Sequence, residues 1–151
     1  MSDYLETSVD KFTFKVATDR LYTSEGVWAK EESGRVRIGL SDFVQQRSGD
    51  VAFADVKPAG TVLAAGDELA VIETIKVNIT YSSPVNGKIV EVNPAMNDAP
   101  EAINQDPYGK GWLAVMEVAN WEADHTKLLD PHAYFKVMKG GTPAPQPAPK
   151  P

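Results

Sequence analysis

The chain has 151 residues, of which 42% are hydrophobic and 24% are charged, a balance typical of one globular domain. Its net charge of -6 argues against nucleic-acid binding, because an acidic surface repels the phosphate backbone. The chain has no cysteine, which excludes disulfides, so any thiol chemistry must come from a cofactor or a partner. No secretory signal and no apolar run of membrane-spanning length is visible, which predicts a cytoplasmic protein without a membrane partner.

Composition divides the chain into three regions. Residues 1–19 form an N-terminal extension in which Phe12, Phe14 and Val16 alternate with polar residues, as in a half-buried strand. Residues 20–139 form the folded domain. Residues 140–151 form a tail rich in proline and alanine, which we expect to be disordered because proline removes backbone donors and disfavours helix and sheet.

Most of the domain is predicted as short strands. Two helices are also predicted, one capped by Ser41 and ended by Gly49, the other capped by Asp130 with Pro131 at its first position. Many short strands with glycines between them, Gly87 included, favour a small sandwich or a partly closed barrel. Alternating apolar residues place the strands at residues 21–29, 35–40, 51–57, 68–80, 87–92 and 112–118.

The segment around Lys76 alternates without a break. Within residues 71–80 the odd-numbered positions other than Glu73 are apolar, whereas Thr74 and Lys76 share the opposite face. No strong turn dipeptide interrupts this pattern, so it predicts one long strand with Lys76 facing solvent. Taken alone, such a lysine indicates a solubilising surface residue.

The same segment resembles the lipoylation site of lipoyl-carrier domains, in particular that of the H protein of the glycine cleavage system. The resemblance is carried by residues 73–76, Glu-Thr-Ile-Lys, by the strand 83–93 that contains Gly87, and by residues 104–113, Asn-Gln-Asp-Pro-Tyr-Gly-Lys-Gly-Trp-Leu. Further matching pieces follow in the same order, so the resemblance covers residues 20–139.

This resemblance implies a mainly β fold, a lipoyl-domain-like barrel-sandwich hybrid of two small antiparallel sheets with a few short helices, including one at the C-terminus. It implies that Lys76 lies at the tip of a hairpin and carries covalent lipoate as N6-lipoyllysine. Glu73 and Gly87 would be read by a lipoate ligase or lipoyl transferase, although Glu73 has an alternative role in a cross-strand ion pair. Such a protein is a carrier in a multi-enzyme system and not an enzyme.

Departures from the H-protein pattern bear on the expected pathway. Residues 26–28 are Gly-Val-Trp where H proteins usually have His-Glu-Trp, and residues 55–58, Asp-Val-Lys-Pro, replace their Glu-Leu-Pro. Residues 39–51 and 72–78 look more similar to the H-like lipoate-binding proteins of the heterodisulfide-reductase-like sulfur-oxidation system. The main expectation is therefore an arm that delivers a sulfur-bound intermediate to a heterodisulfide-reductase-like complex, with that complex or a dihydrolipoamide dehydrogenase resetting its redox state.

Three alternatives stay open. The first is the glycine cleavage H protein itself, which carries an aminomethyl group between glycine decarboxylase, aminomethyltransferase and dihydrolipoamide dehydrogenase. The second is an unmodified interaction module that kept only the fold. The third, a biotinyl carrier, is weaker, because biotin acceptor lysines usually stand between methionines and Lys76 stands between Ile75 and Val77.

Other polar residues do not indicate a site. His125 and His132 have neither cysteines nor a tight acidic cluster near them in the sequence, so no metal is expected. The Asp-Pro and glycine residues at 106–111 are explained by turn formation alone. The sequence contains no catalytic triad pattern, P-loop or dinucleotide motif, which agrees with a carrier.

Overall fold

The computed structural model describes residues 4–9 and 12–139. The tail predicted for residues 140–151 lies outside the described residues. The strands are β1 (Tyr4–Val9), β2 (Phe12–Ala17), β3 (Leu21–Tyr22), β4 (Val27–Glu32), β5 (Arg35–Leu40), β6 (Val51–Val56), β7 (Val62–Leu63), β8 (Glu68–Thr74), β9 (Asn78–Ser82), β10 (Gly87–Val92) and β11 (Ala114–Val118). The helices are α1 (Asp42–Ser48), α2 (Ala95–Asp98), α3 (Ala102–Gln105), α4 (Trp121–Asp124) and α5 (Pro131–Lys139), and a 3-10 turn (His125–Lys127) follows α4.

The strands form three antiparallel sheets. The largest has the order β3-β4-β5-β11-β10-β7, the second has the order β6-β8-β9, and β1 pairs with β2 alone. Apolar side chains of the two larger sheets meet in one core, because alternate residues of each strand point to the same face. This core includes Ile38, Leu69, Ile72, Ile89 and Met116. The expected fold class is thereby confirmed, with the N-terminal hairpin as an additional small sheet.

A second and mostly aromatic core lies where the N-terminal hairpin packs against α1 and α5. Phe14 of β2 meets Phe43 of α1 edge-on, with ring centroids 4.9 Å apart. Tyr22 of β3 stacks on Tyr134 of α5 at 4.5 Å. Aromatic pairs of this kind stabilise beyond their buried area. The predicted apolar face of Phe14 and Val16 is therefore a core face, and it belongs to a hairpin of its own.

The two predicted helices begin where their caps predict. The Ser41 side chain accepts a hydrogen bond from the Val44 N–H, and α1 ends at Gly49, whose φ is +90°. The Asp130 carboxylate accepts a 2.7 Å hydrogen bond from the Ala133 N–H at the start of α5. Each cap provides a partner for an N–H that the helix itself leaves unpaired.

Elsewhere the predicted boundaries needed correction. Residues 21–29 form two strands, β3 and β4, because a turn at Gly26, with φ of +92°, separates them. Strand β10 begins at Gly87 as predicted, and a Cβ there would lie 2.3 Å from the Glu117 carbonyl oxygen. The absence of a side chain at position 87 therefore allows β10 and β11 to lie close together. Within the described part, no helix is long and apolar enough to cross a membrane.

Candidate functional site

The predicted carrier lysine lies in the turn of a β-hairpin. Strands β8 and β9 pair with Glu73 opposite Asn78, and residues 75–77 connect them with Lys76 exposed at the centre. The single strand predicted by alternation over residues 68–80 is therefore wrong, and the hairpin that the resemblance implies is confirmed.

Thr74 builds this turn without glycine or proline. Its hydroxyl accepts hydrogen bonds from the N–H groups of Lys76 and Val77, each at 3.1 Å, and donates to the Val77 carbonyl at 3.2 Å. Threonine hydroxyls replace backbone partners in tight turns in this way. Thr74 is buried and does not share the exposed face of Lys76, because the turn ends the alternation there.

The aliphatic stem of Lys76 runs beside Gly49. A Cβ on Gly49 would lie 3.4 Å from the Cδ and Cε atoms of Lys76, which is van der Waals distance. The Ile75 N–H donates a 3.1 Å hydrogen bond to the Asp50 carbonyl, which ties the turn to the same segment. Within the described part, none of the ion pairs engages Lys76. The amine is therefore accessible on a stem whose base is fixed.

Asn104 fixes the segment on which this stem lies. Its side-chain oxygen accepts a 2.8 Å hydrogen bond from the Val51 N–H, and its amide donates to the Gly49 carbonyl at 3.1 Å and to the Gln45 side chain at 3.0 Å. In the sequence, residues 104–113 indicate only a family resemblance. A single asparagine near an Asp-Pro turn does not reveal its distant partners, so the role of Asn104 is not predicted from the sequence.

Glu73 lies close to Lys76, whereas Gly87 does not share its hairpin. Glu73 is half-buried on β8, opposite Phe53 of β6 and Asn78 of β9. Gly87 belongs to the six-stranded sheet, between β7 and β11. Packing accounts for the glycine at position 87, so recognition of Gly87 or Glu73 by a ligase stays a prediction.

The turn predicted at residues 106–111 is present. The Asp106 carbonyl accepts hydrogen bonds from the Gly109 and Gly111 N–H groups, and its carboxylate accepts one from the Lys110 N–H. A cleft of about 430 Å³ beside it is lined by Arg20, Lys30, Glu32, Arg37, Asp106, Tyr108, Gly109, Lys110 and Trp112. Three of the four cations there already pair with neighbouring acids.

The two histidines lie apart from this site. His125 is 3.7 Å from the Glu122 carboxylate and its ring lies 5.7 Å from that of Trp121, which are contacts of a surface helix turn. His132 lies in the first turn of α5. Among the described residues, no three histidine, aspartate or glutamate side chains are grouped as metal ligands would be.

Comparison with known proteins agrees with this geometry. The family profile described as "Glycine cleavage H-protein" matches residues 20–141. The chain is 39% identical to the "Glycine cleavage system H protein" of Stenotrophomonas maltophilia over 126 residues, covering 83% of this chain and 95% of the relative. It is 40% identical to that of Listeria monocytogenes over 120 residues, covering 80% and 95%. The crystal structure of a glycine cleavage system H protein from Mycobacterium marinum superposes with a TM-score of 0.73 at 30% identity, covering 82% of this chain and 98% of that one. The chain therefore belongs to the glycine cleavage H-protein family.

Proposed function

We propose that this protein carries lipoate on Lys76 and serves as the H protein of a glycine cleavage system. Proteins of this family are lipoyl carriers with the cofactor attached to a lysine, and they are not themselves catalysts. The observation that carries the assignment to Lys76 is its position at the exposed centre of the β8–β9 turn. No other lysine in the described residues combines this exposure with the sequence Glu-Thr-Ile-Lys.

The residues around Lys76 fit an attached group. The Thr74 hydroxyl holds the backbone on both sides of the lysine, while the Ile75 N–H anchors the turn to Asp50. The base of the arm is therefore fixed, and its motion comes from the rotatable bonds of the side chain. Lipoate supplies a disulfide that opens to a dithiol and is reformed by exchange, a chemistry that this cysteine-free chain lacks.

A fixed base with a long flexible arm suits transfer between several enzymes. A tethered group meets each partner's active site at a high effective concentration, set by the length of the tether. The chain's task is to hold and present the arm to the partners. In the proposed system these are a glycine decarboxylase, an aminomethyltransferase that takes over the aminomethyl group, and a dihydrolipoamide dehydrogenase, all in the cytoplasm.

The family match and the named relatives favour glycine cleavage over sulfur oxidation. The departure at position 26 is the observation that keeps the sulfur carrier as a second candidate. Packing alone requires glycine there, because a Cβ would lie 2.1 Å from the Cγ2 atom of Val44 and 2.9 Å from the Tyr134 hydroxyl. The missing histidine thus reflects how closely α1 and α5 approach this turn, and it is weak support for a different partner.

The mass of the intact protein tests the modification. Protein made in a host that lipoylates its own carriers should gain the mass of one lipoyl group, and Lys76→Arg should remove that gain. Lys57→Arg is the matched control, because Lys57 directly follows β6 of the three-stranded sheet and its side chain is also partly exposed. An unmodified wild type, or a gain that survives Lys76→Arg, would refute the assignment.

A second assay separates the two pathways. The loaded protein should support glycine–bicarbonate exchange by a glycine decarboxylase, whereas the Lys76→Arg variant should not. A loaded protein that is inactive in this exchange but is used by a heterodisulfide-reductase-like complex would reverse the choice of pathway and leave the carrier function intact.

A further inference from the structure

Asn104 ties the end of α1 to the beginning of β6. Its side-chain oxygen accepts a 2.8 Å hydrogen bond from the Val51 N–H, and its amide donates one of 3.1 Å to the Gly49 carbonyl. The residue between these two, Asp50, accepts a 3.1 Å hydrogen bond from the Ile75 N–H at its own carbonyl. Asn104 on α3 therefore holds, from one side, the same three residues to which the turn between β8 and β9 is attached from the other.

The stem of Lys76 lies along the first of these three residues. A Cβ on Gly49 would lie 3.4 Å from the Cδ and Cε atoms of Lys76 and 3.6 Å from its Cγ atom, so three successive methylene groups follow the Gly49 backbone. A contact between two such heavy atoms contributes only about 0.1–0.2 kcal/mol, and a gap of about 0.5–1 Å removes a quarter to a half of it. The direction of the stem therefore depends on how firmly the Gly49 backbone is held.

Asn104 provides the partner that the helix end cannot provide. The last carbonyls of a helix have no partner within it, and the Gly49 carbonyl, just past the end of α1, accepts its hydrogen bond from Asn104. The same amide also donates to the Gln45 side chain in α1 at 3.0 Å, which fixes the asparagine against the helix. We propose that Asn104 is a positioning residue for the carrier arm, acting through Gly49 to set the direction in which the stem of Lys76 leaves the surface. This inference rests on the proposed function of Lys76.

Positioning of the arm matters once a partner has bound. A partner docked on the carrier holds its active site at a fixed distance from the base of the arm, and the rate of transfer depends on the effective concentration of the arm's end at that site. A base that moves spreads the arm through a larger volume and lowers this concentration. Loss of Asn104 should therefore lower kcat for transfer, whereas KM, which reflects docking, should stay the same.

The chain provides a matched control in Asn93. Its side chain also makes three hydrogen bonds, one accepted from the Ala95 N–H at 3.0 Å and two donated to the carbonyls of Lys110 and Trp112 at 2.8 and 2.7 Å. Asn93→Ala therefore removes as many hydrogen bonds from the fold as Asn104→Ala, but it leaves the surroundings of the arm in place.

Asn104→Asp is a second and milder variant. It keeps the shape of asparagine and the oxygen that accepts from the Val51 N–H, but its ionised carboxylate cannot donate to the Gly49 carbonyl. It tests the same contact in a protein that retains one of the three hydrogen bonds.

The first measurement uses the unmodified full-length protein. Nuclear Overhauser effects between the α-protons of Gly49 and the δ- and ε-protons of Lys76 report whether the stem lies along the glycine. The wild type and Asn93→Ala should show these contacts, whereas Asn104→Ala and Asn104→Asp should lose them.

The second measurement uses each protein fully loaded by a purified lipoate ligase, with glycine–bicarbonate exchange by a glycine decarboxylase as the assay. We expect kcat to fall about threefold in Asn104→Ala, with KM for the loaded carrier within about twofold of the wild type, and both constants to be unchanged in Asn93→Ala. Proton contacts that persist in both Asn104 variants, an equal fall in kcat in Asn93→Ala, or a rise in KM without a fall in kcat would overturn the positioning role alone. A wild type that is never loaded would overturn the function of Lys76, and the loss or persistence of the proton contacts would still decide whether Asn104 sets the direction of the stem.

Discussion

Replacing Thr74 by valine should loosen the turn that carries Lys76 without unfolding the protein. Valine keeps the shape of threonine but exchanges the hydroxyl for a methyl group. The change removes three hydrogen bonds of the side chain, two accepted from Lys76 and Val77 and one donated to the Val77 carbonyl. Because Thr74 is 1% exposed, no water reaches its position to replace the hydroxyl directly.

The size of the effect follows from these bonds. Each contributes a net of about 0.5–1.5 kcal/mol, and the buried methyl group returns about 0.8 kcal/mol. Both of the accepted hydrogen bonds are only partly buried, so water satisfies part of the requirement of the freed N–H groups. We therefore expect the free energy of opening the turn to fall by about 1–3 kcal/mol, a factor of roughly 5 to 150 in its equilibrium constant.

Amide hydrogen exchange measures this opening directly. The Lys76 and Val77 amides should exchange faster by that factor in Thr74→Val, whereas amides in β5 should change much less. Thr74→Ser is the control, because it retains the hydroxyl and should keep slow exchange at both amides. Exchange in Thr74→Val as slow as in the wild type, or exchange in Thr74→Ser as fast as in Thr74→Val, would contradict this role of the hydroxyl.

Two further predictions concern buried aromatic side chains. Phe14→Ala should lower the free energy of unfolding by about 3–5 kcal/mol in denaturant titrations, because the ring is buried against Phe43. The control Phe53→Ala, at the surface, should change it by less than about 0.5 kcal/mol. A small effect of Phe14→Ala would mean that the N-terminal hairpin is not part of the core. Burial raises the pKa of Tyr81 to about 12 and also raises the pKa of Tyr134. The folded state therefore keeps phenol protons that the unfolded state loses above pH 10. The free energy of unfolding should be unaffected by these tyrosines below pH 10. Above it, this free energy should fall by about 1.4 kcal/mol per pH unit for each such tyrosine, until the pH reaches the folded pKa. Denaturant titrations at several pH values should show a shallower fall in Tyr134→Phe, and an unchanged slope would contradict this origin.

Local chemistry explains what the sequence predicts correctly. Strands β5 and β10 have the predicted bounds, because alternation runs through β5 and the glycines at positions 34 and 87 mark where the two strands begin. Helices α1 and α5 begin at Ser41 and Asp130, because an oxygen at the N-cap has a local and nearly unique use.

Distant contacts explain what the sequence does not predict. The turn at Lys76 depends on the Thr74 hydroxyl, and a threonine in an alternating segment looks the same as one in a strand. The partners of Asn104 lie more than fifty positions away in the sequence, so no pattern near position 104 reveals them. Four-residue helices such as α2 and α3 are too short to show helical periodicity.

The N-terminal hairpin affects where this domain can be cut. The family profile begins at residue 20, yet Phe14 and Val16 precede that point and are buried in the second core. A fragment trimmed to the homologous region would uncover the aromatic surface formed by Phe43 and Tyr134, and such newly exposed apolar area favours self-association. Boundaries for producing this protein, or for fusing it to another, are therefore better drawn from buried surface than from similarity.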